Sequence, residues 1–174
     1  MRIVKIVLGL VALWIMLLVG GFMLNDIPWG APPGPVIRAY TYLTTHVAET
    51  IEGSPFPELR PRRYTRDADS LYRTVQEAVT RLPRWEIAAT DDTARTVQAV
   101  VTSRIFRFKD DVTITVVPEP GGHPVVQVRS ESRVAKGDLG TNTQHVLDLY
   151  AMLEELGAHG EVERMSGTGG TPPA

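Results

Sequence analysis

The chain contains no cysteine, which excludes disulfides, thiol nucleophiles and Cys-ligated zinc. It also lacks an excess of charge of either sign. Eighteen Lys and Arg stand against 20 Asp and Glu, a net charge of −2, so the basic stripe of a nucleic-acid binder is missing. The four histidines, His46, His123, His145 and His159, are scattered, and no pair has metal-ligand spacing. No Gly-x-Ser-x-Gly elbow is present to present a serine nucleophile. The glycines from Gly167 to Gly170 lack the strand–loop–helix setting of a phosphate loop. No internal repeat is visible. Neither a metal nor a cofactor is expected.

What is present begins with an apolar run, Ile6 to Leu24, without a charged residue. At about 1.5 Å per residue it makes a helix of roughly 28 Å, against a hydrocarbon core of about 30 Å. The run predicts a single transmembrane helix. It exceeds the apolar core of a cleaved signal peptide, and no small-x-small cleavage pattern follows it. Arg2 and Lys5 precede it, and basic flanks stay cytoplasmic. The expectation is therefore a bacterial inner-membrane protein that contacts the bilayer through residues 6–24, with its C-terminal part periplasmic.

The remaining chain is large enough for one domain. Residues 1–24 read as the anchor, 25–63 as a linker, 64–157 as the domain and 158–174 as a disordered, Gly/Pro-rich tail. Within the linker, Val36, Tyr40, Leu43, Val47 and Ile51 recur at helical spacing. They predict a short helix that packs on the domain, with a resting place on the membrane surface as the alternative. In the domain, Leu71, Val75, Ala78, Val79 and Leu82 mark a helix face, and Pro83 stops it. Four strands follow: Trp85–Thr90, Thr96–Phe108, Val112–Val116 and Val125–Val134. Lys109-Asp110-Asp111 reads as a turn. The last helix starts after Gly140, with Thr141 and Gln144 in capping-box spacing. Val146, Leu149, Tyr150, Leu153 and Leu156 form its apolar face. The predicted fold class is α+β: a transmembrane helix, then a two-layer domain with an antiparallel sheet of about four strands and two helices on one face.

Strand alternation then separates two sets of side chains. Val126, Val128, Ser130 and Ser132 should face the helices, leaving Arg129, Glu131 and Arg133 on the open face. The densest polar stretch, Arg129 to Asn142, lies where a strand becomes a loop and then a helix. A helix N-terminus favours an anion, and arginine suits bidentate anion contacts. The candidate contact residues are Arg129, Arg133, Lys136, Asp138 and Asn142, with Asp110 and Asp111 as paired carboxylates. Each also has a purely structural explanation in strand ion pairs and turn chemistry.

Three segments carry a resemblance. Trp85-Glu86-Ile87, Phe106-Arg107-Phe108-Lys109-Asp110-Asp111-Val112, and Val128-Arg129-Ser130-Glu131-Ser132-Arg133-Val134-Ala135-Lys136-Gly137-Asp138-Leu139-Gly140-Thr141-Asn142 resemble the bacterial and plastid family filed as domain of unknown function 1499. Its pattern runs Arg-Phe-x-Asp-Asp-Val, then Arg-Ser-x-Ser-Arg-Val-Gly-x-x-Asp-Leu-Gly-x-Asn. This chain departs from it at Ala135, where the family has Gly. The resemblance implies a domain over about Pro55 to Leu156. It singles out Arg129, Ser130, Ser132, Arg133, Asp138, Leu139, Gly140 and Asn142, with no activity attached.

Three functions fit these features. The first is a non-enzymatic envelope module that binds a membrane protein or an anionic ligand. The second is a hydrolase acting on an envelope component, with Asp110 or Asp111 as base and Arg129 stabilising negative charge. The third is a small accessory subunit of a membrane complex.

Overall fold

The computed structural model describes residues 2–23, 25–104, 107–121, 123–134 and 137–162, with backbone alone for Leu18, residues 21–23 and Val162. Helix α1 covers Arg2–Met23, and its described apolar side chains, from Ile3 to Val19, are all exposed. Among the described residues, no helix is long and apolar enough to cross a membrane. This finding corrects the expected transmembrane helix.

The domain is α+β, as its sequence order implies, but its sheet has seven antiparallel strands rather than about four. The four long strands are β3 (Trp85–Asp91), β4 (Thr96–Thr102), β5 (Lys109–Val117) and β6 (Val125–Ser132). They lie side by side as a meander. Beyond β6 come three strands of three residues each: β1 (Val47–Glu49), β2 (Arg62–Tyr64) and β7 (Gly160–Val162). Strands β1 and β2 share one edge of β6. Val47 to Glu49 pair with Glu131 to Arg129, and Arg62 and Arg63 pair with Val126 and Val125. Between them Thr50 bonds Val128 through both backbone and hydroxyl, and a 3-10 turn, Pro57–Leu59, carries the chain outward. Strand β7 then pairs with β2. It lies inside the tail expected to be disordered; residues 163–174 of that tail lie outside the described residues.

Period-2 alternation sorts the sheet as expected. Val97, Ala99 and Val101 on β4, Val112, Ile114 and Val116 on β5, and Val126 and Val128 on β6 are buried under the helices. Helix α3 (Ala68–Arg81) starts at Asp67, whose carboxylate accepts the Ser70 N–H at 2.8 Å. Its Leu71, Val75, Ala78 and Val79 are fully buried. Helix α4 (Thr141–Glu155) buries Val146, Leu149, Tyr150 and Leu153 beside it.

The segment expected to be a linker is bound into the domain. Helix α2 (Pro35–Thr44) buries Arg38 and Tyr42. Its expected apolar face points outward, with Val36 80% and Tyr40 70% exposed, while Val47 sits on β1. Polar contacts outweigh the apolar stripe here. The Arg38 guanidinium, fully buried, pairs with Glu58 and donates to the carbonyls of Ala31 and Pro32 at 3.2 and 2.5 Å and to the Tyr42 hydroxyl at 3.0 Å.

Candidate functional site

The site grows from a shift in the predicted turn. Lys109-Asp110-Asp111 opens β5 instead of turning the chain; the reversal falls earlier, where Ser103 and Phe108 exchange hydrogen bonds. Once the two aspartates lie in a strand, alternation sends them to opposite faces. Asp111 goes to the open face, where Arg133 grips it with two hydrogen bonds of 2.8 and 2.6 Å. That grip holds the Asp111 carboxyl below its ordinary range. Beside it, Arg129 pairs with Glu131 and lies 3.8 Å from Glu49. The open face is thus a lattice of half-exposed ion pairs, of a kind that solvent screening leaves weak. It places no unpaired cation from this set before a ligand.

Asp110 goes inward and is 3% exposed. Its register partner on β6 is Ser132, and Ser130 lies two residues earlier on the same buried face. Opposite them, the first turns of α4 present Asn142 and His145. The Asn142 amide nitrogen donates to the His46 carbonyl at 2.8 Å and to Ser132 Oγ at 3.0 Å. Both amide protons are then used, so its oxygen is the acceptor that meets Ser130 Oγ at 2.6 Å. Ser130 has one proton, given to Asn142. Its contact with His145 Nδ1 at 3.0 Å is therefore donated by the imidazole. Ser132, which accepts from Asn142, donates to Asp110 and draws that carboxyl's affinity for protons down.

This chain of bonds assigns the His145 tautomer as Nδ1–H. Burial depresses the imidazole pKa to about 4, aided by the charge of Arg84, so the ring is neutral. Its Nε2 is then a bare acceptor, with Asp110 Oδ2 the nearest carboxylate oxygen at 3.9 Å. Trp85 fixes the ring edge-on, with centroids 5.7 Å apart. Asp110 itself is pushed upward, chiefly by burial and then by the charges of Asp138 and Asp111.

Asp110, Ser132 and His145 line a cavity of about 320 Å³ between the start of α4, the adjoining ends of β4, β5 and β6, and the residues that follow α1, with Ser130 and Asn142 behind them. Trp85, Val101, Phe108, Val134 and Leu139 supply apolar wall. Among the described residues, the charged lining is Asp26, Asp110, Asp138 and Asp148 with Arg84 and Arg104. Asn25 closes the rim by donating to the Leu139 carbonyl at 3.0 Å.

Asp138 holds the start of α4. Its carboxylate accepts the N–H groups of Gly140 and Asn142 at 2.8 and 3.0 Å. The expected capping box does not form, because Asp138 occupies that role and Gln144 turns to Asp148 at 2.7 Å. Gly140 takes φ +83° at the helix entry, and a Cβ there would lie 2.1 Å from Ile27 Cδ1.

Of the residues that sequence reasoning proposed as a site, Asp110, Asp138 and Asn142 come together around the cavity. Arg129, Arg133 and Asp111 lie on the other side of the sheet. Lys136 lies outside the described residues. His145, the centre of the constellation, was not singled out. The available signal was its place one turn after Asn142 on α4, opposite two serines that interrupt a valine face. Among the described residues, no group of three or more His, Cys, Asp or Glu side chains is disposed to hold a metal ion.

Fold and site together define a class: an antiparallel sheet covered on one face by two helices, with a polar ring at the wall of a small cavity. The family model described as "Protein of unknown function (DUF1499)" matches residues 40–153, well over half the chain, and the protein belongs to that family. No curated protein matches the chain. The motif residues Ser130, Ser132, Asn142 and Asp110 are the members of the ring, while Asp138 and Gly140 form the helix entry that positions it.

Proposed function

We propose that the protein is a non-enzymatic binding module of the bacterial cell envelope, taking a small ligand in the cavity beside His145 and Asp110. The observation that carries this reading is the cavity's make-up. It has apolar walls and a few fixed polar groups converging on one spot, the pattern of small-molecule sites. The polar ring leaves two acceptors, Asp110 and His145 Nε2, facing that space. The anionic ligand expected on the open face loses its support, since Arg129 and Arg133 are committed to carboxylates there.

Lipid contact belongs to the same proposal, as does a periplasmic position at the inner membrane. Helix α1 exposes apolar side chains along its length, and α2 adds Val36, Ile37, Tyr40 and Leu43 on its exposed face. Asn25 and Asp26, which follow α1 closely, form part of the cavity rim, so lipid-facing surface and site adjoin.

Hydrolysis keeps one observation in its favour: Asp110 and His145 line the same cavity. Asp111 and Arg129, on the far side of the sheet, take no part in such chemistry.

The full-length chain, purified in mild detergent, is expected to carry a bound small molecule in native mass spectrometry and to float with lipid vesicles. A chain that sediments away from vesicles contradicts the lipid contact. A chain that carries no bound species, and gains no thermal stability from any member of a small-molecule library, contradicts the binding reading.

A further inference from the structure

We infer that the cavity selects a ligand bearing a protonated primary or secondary amine on an apolar body, the ammonium sitting between Asp110 Oδ2 and His145 Nε2. This rests on the binding reading above and names the ligand class.

Asp110 is a buried carboxylate for which no described residue supplies a cation. Its hydrogen-bond partner is the neutral Ser132 hydroxyl, and the charges nearest to it, Asp138 and Asp111, are of its own sign. A buried charge of this kind is costly unless it is paired. The arginines of the cavity do not act on Asp110: Arg104 and Arg84 act on Asp148, and Arg84 also acts on His145. Among the described residues, four aspartates stand against two arginines in the lining.

The second observation is independent of the acidic lining. His145 is 5% exposed, and its Nδ1–H is spent on Ser130. That leaves Nε2 an acceptor on the cavity wall with no donor among the described residues. Two acceptors 3.9 Å apart cannot hydrogen-bond each other while Asp110 is ionised and His145 neutral. A nitrogen about 2.8 Å from each, a normal charge-assisted distance, sees the two acceptors about 88° apart, roughly 20° tighter than two N–H bonds of an ammonium, a bend that hydrogen bonds tolerate. A third acceptor lies on the same wall: Gln144 Oε1 is buried with no donor in the described structure, its amide protons turned toward Asp148. Trp85 and Phe108 supply apolar surface for the rest of such a molecule.

A carboxylate ligand would face Asp110 with like charge. An alcohol would satisfy one acceptor and leave the other bare. The same ammonium chemistry comes from two sources, a soluble amine or the headgroup of an aminolipid; the position of Asn25 and Asp26 just after α1 makes both reachable.

The test uses the full-length chain in a zwitterionic detergent that lacks N–H groups. Phenethylamine, phenethyl alcohol and 3-phenylpropionate are titrated in turn, following the His145 side-chain nitrogens by NMR. Phenethylamine is expected to bind and shift Nε2 while Nδ1 keeps its proton, and to bind tightest of the three. Asp110→Asn should weaken it roughly ten- to a hundredfold, while Asp111→Asn, on the open face, should leave it unchanged. Vesicles of phosphatidylethanolamine should move Nε2 and those of phosphatidylcholine should not if the source is an aminolipid; silence of both beside bound phenethylamine marks a soluble amine. Equal or tighter binding of the alcohol or the acid overturns the inference, as does unchanged amine affinity in folded Asp110→Asn. The comparison of the three probes on the unaltered chain decides the matter even where that variant does not fold. If the alcohol or acid enters and the amine does not, the binding reading stands without this inference. If no probe and no lipid moves any cavity resonance, both fall.

Discussion

Arg38→Ala should destabilise the domain by about 3–5 kcal/mol, the loss typical when one partner of a buried ion pair is removed. The size of the effect follows from what the guanidinium holds. It is fully buried beneath α2, and four of its contacts are to Glu58, Tyr42, Ala31 and Pro32. Its cationic face also lies 5.1 Å from the Phe56 ring centroid. Truncation strands Glu58, itself buried, and two carbonyls. Desolvation opposes the Arg38 charge, but Glu58 and Tyr42 together outweigh it and raise the guanidinium pKa. Urea denaturation of the full chain, followed by tryptophan fluorescence, measures the loss. Replacing both partners, as Arg38→Met with Glu58→Leu, should recover much of it, because no unpaired charge then remains. A loss below about 1 kcal/mol would place α2 outside the cooperative unit, as a linker would be.

The second large effect is acid lability. His145 titrates near 4 in the fold against 6.5 as its ordinary value. At pH above 6.5 both folded and unfolded chains hold this ring neutral, and it confers no pH dependence. As pH falls below 6.5 the unfolded chain binds the proton and the folded one does not, so stability falls until about pH 4. The full difference is about 3 kcal/mol. Asp110, Asp138 and Asp148, all raised by burial, act in the opposite sense. The fold binds their protons first, so they add stability as pH drops through their raised range and fade again as it rises. The steepest loss should therefore lie in the upper part of the window, between pH 6.5 and about 5. Urea midpoints across that range read it, and His145→Gln should flatten the curve there. A midpoint constant from pH 7 to pH 5 in the unaltered chain would mean that the ring is not held neutral by burial.

Much of this architecture was legible in residue pattern. The helix faces at Leu71–Val79 and Val146–Leu153 stand where periodicity put them, and the four long strands overlap their expected positions, although β4 ends at Thr102 rather than Phe108 and β5 begins at Lys109; the helices and strands β4 to β6 each bury an apolar stripe, whereas β3 buries Trp85 alone. Strands β1, β2 and β7 carry no such stripe. Three residues give alternation nothing to repeat, and their pairing is imposed by the edge of β6. Helix α2 misled for a related reason. Its apolar residues are the visible signal, yet its orientation is decided by Arg38, whose partner Glu58 lies twenty residues away and cannot be paired by inspection.

The site was half legible. Alternation already placed Ser130 and Ser132 on the helix-facing side, and the motif marked Asn142, but a one-element misreading of Asp110-Asp111 as a turn hid the carboxylate that completes the ring. The run of Arg129, Arg133 and Lys136 drew attention to charge on the wrong face. What the motif encodes is a closed set of hydrogen bonds that orients one neutral imidazole, and such a network has no signature in charge or hydropathy.

The central claim is that this ring presents a bare His145 Nε2 to the cavity. Nitrogen-15 NMR of the histidine side chains in the full-length chain at pH 7 tests it most directly. The account predicts a proton on His145 Nδ1 and none on Nε2, with the Nδ1–H lost to solvent exchange in Asn142→Ala. A proton on Nε2, or an imidazolium at that pH, would contradict it.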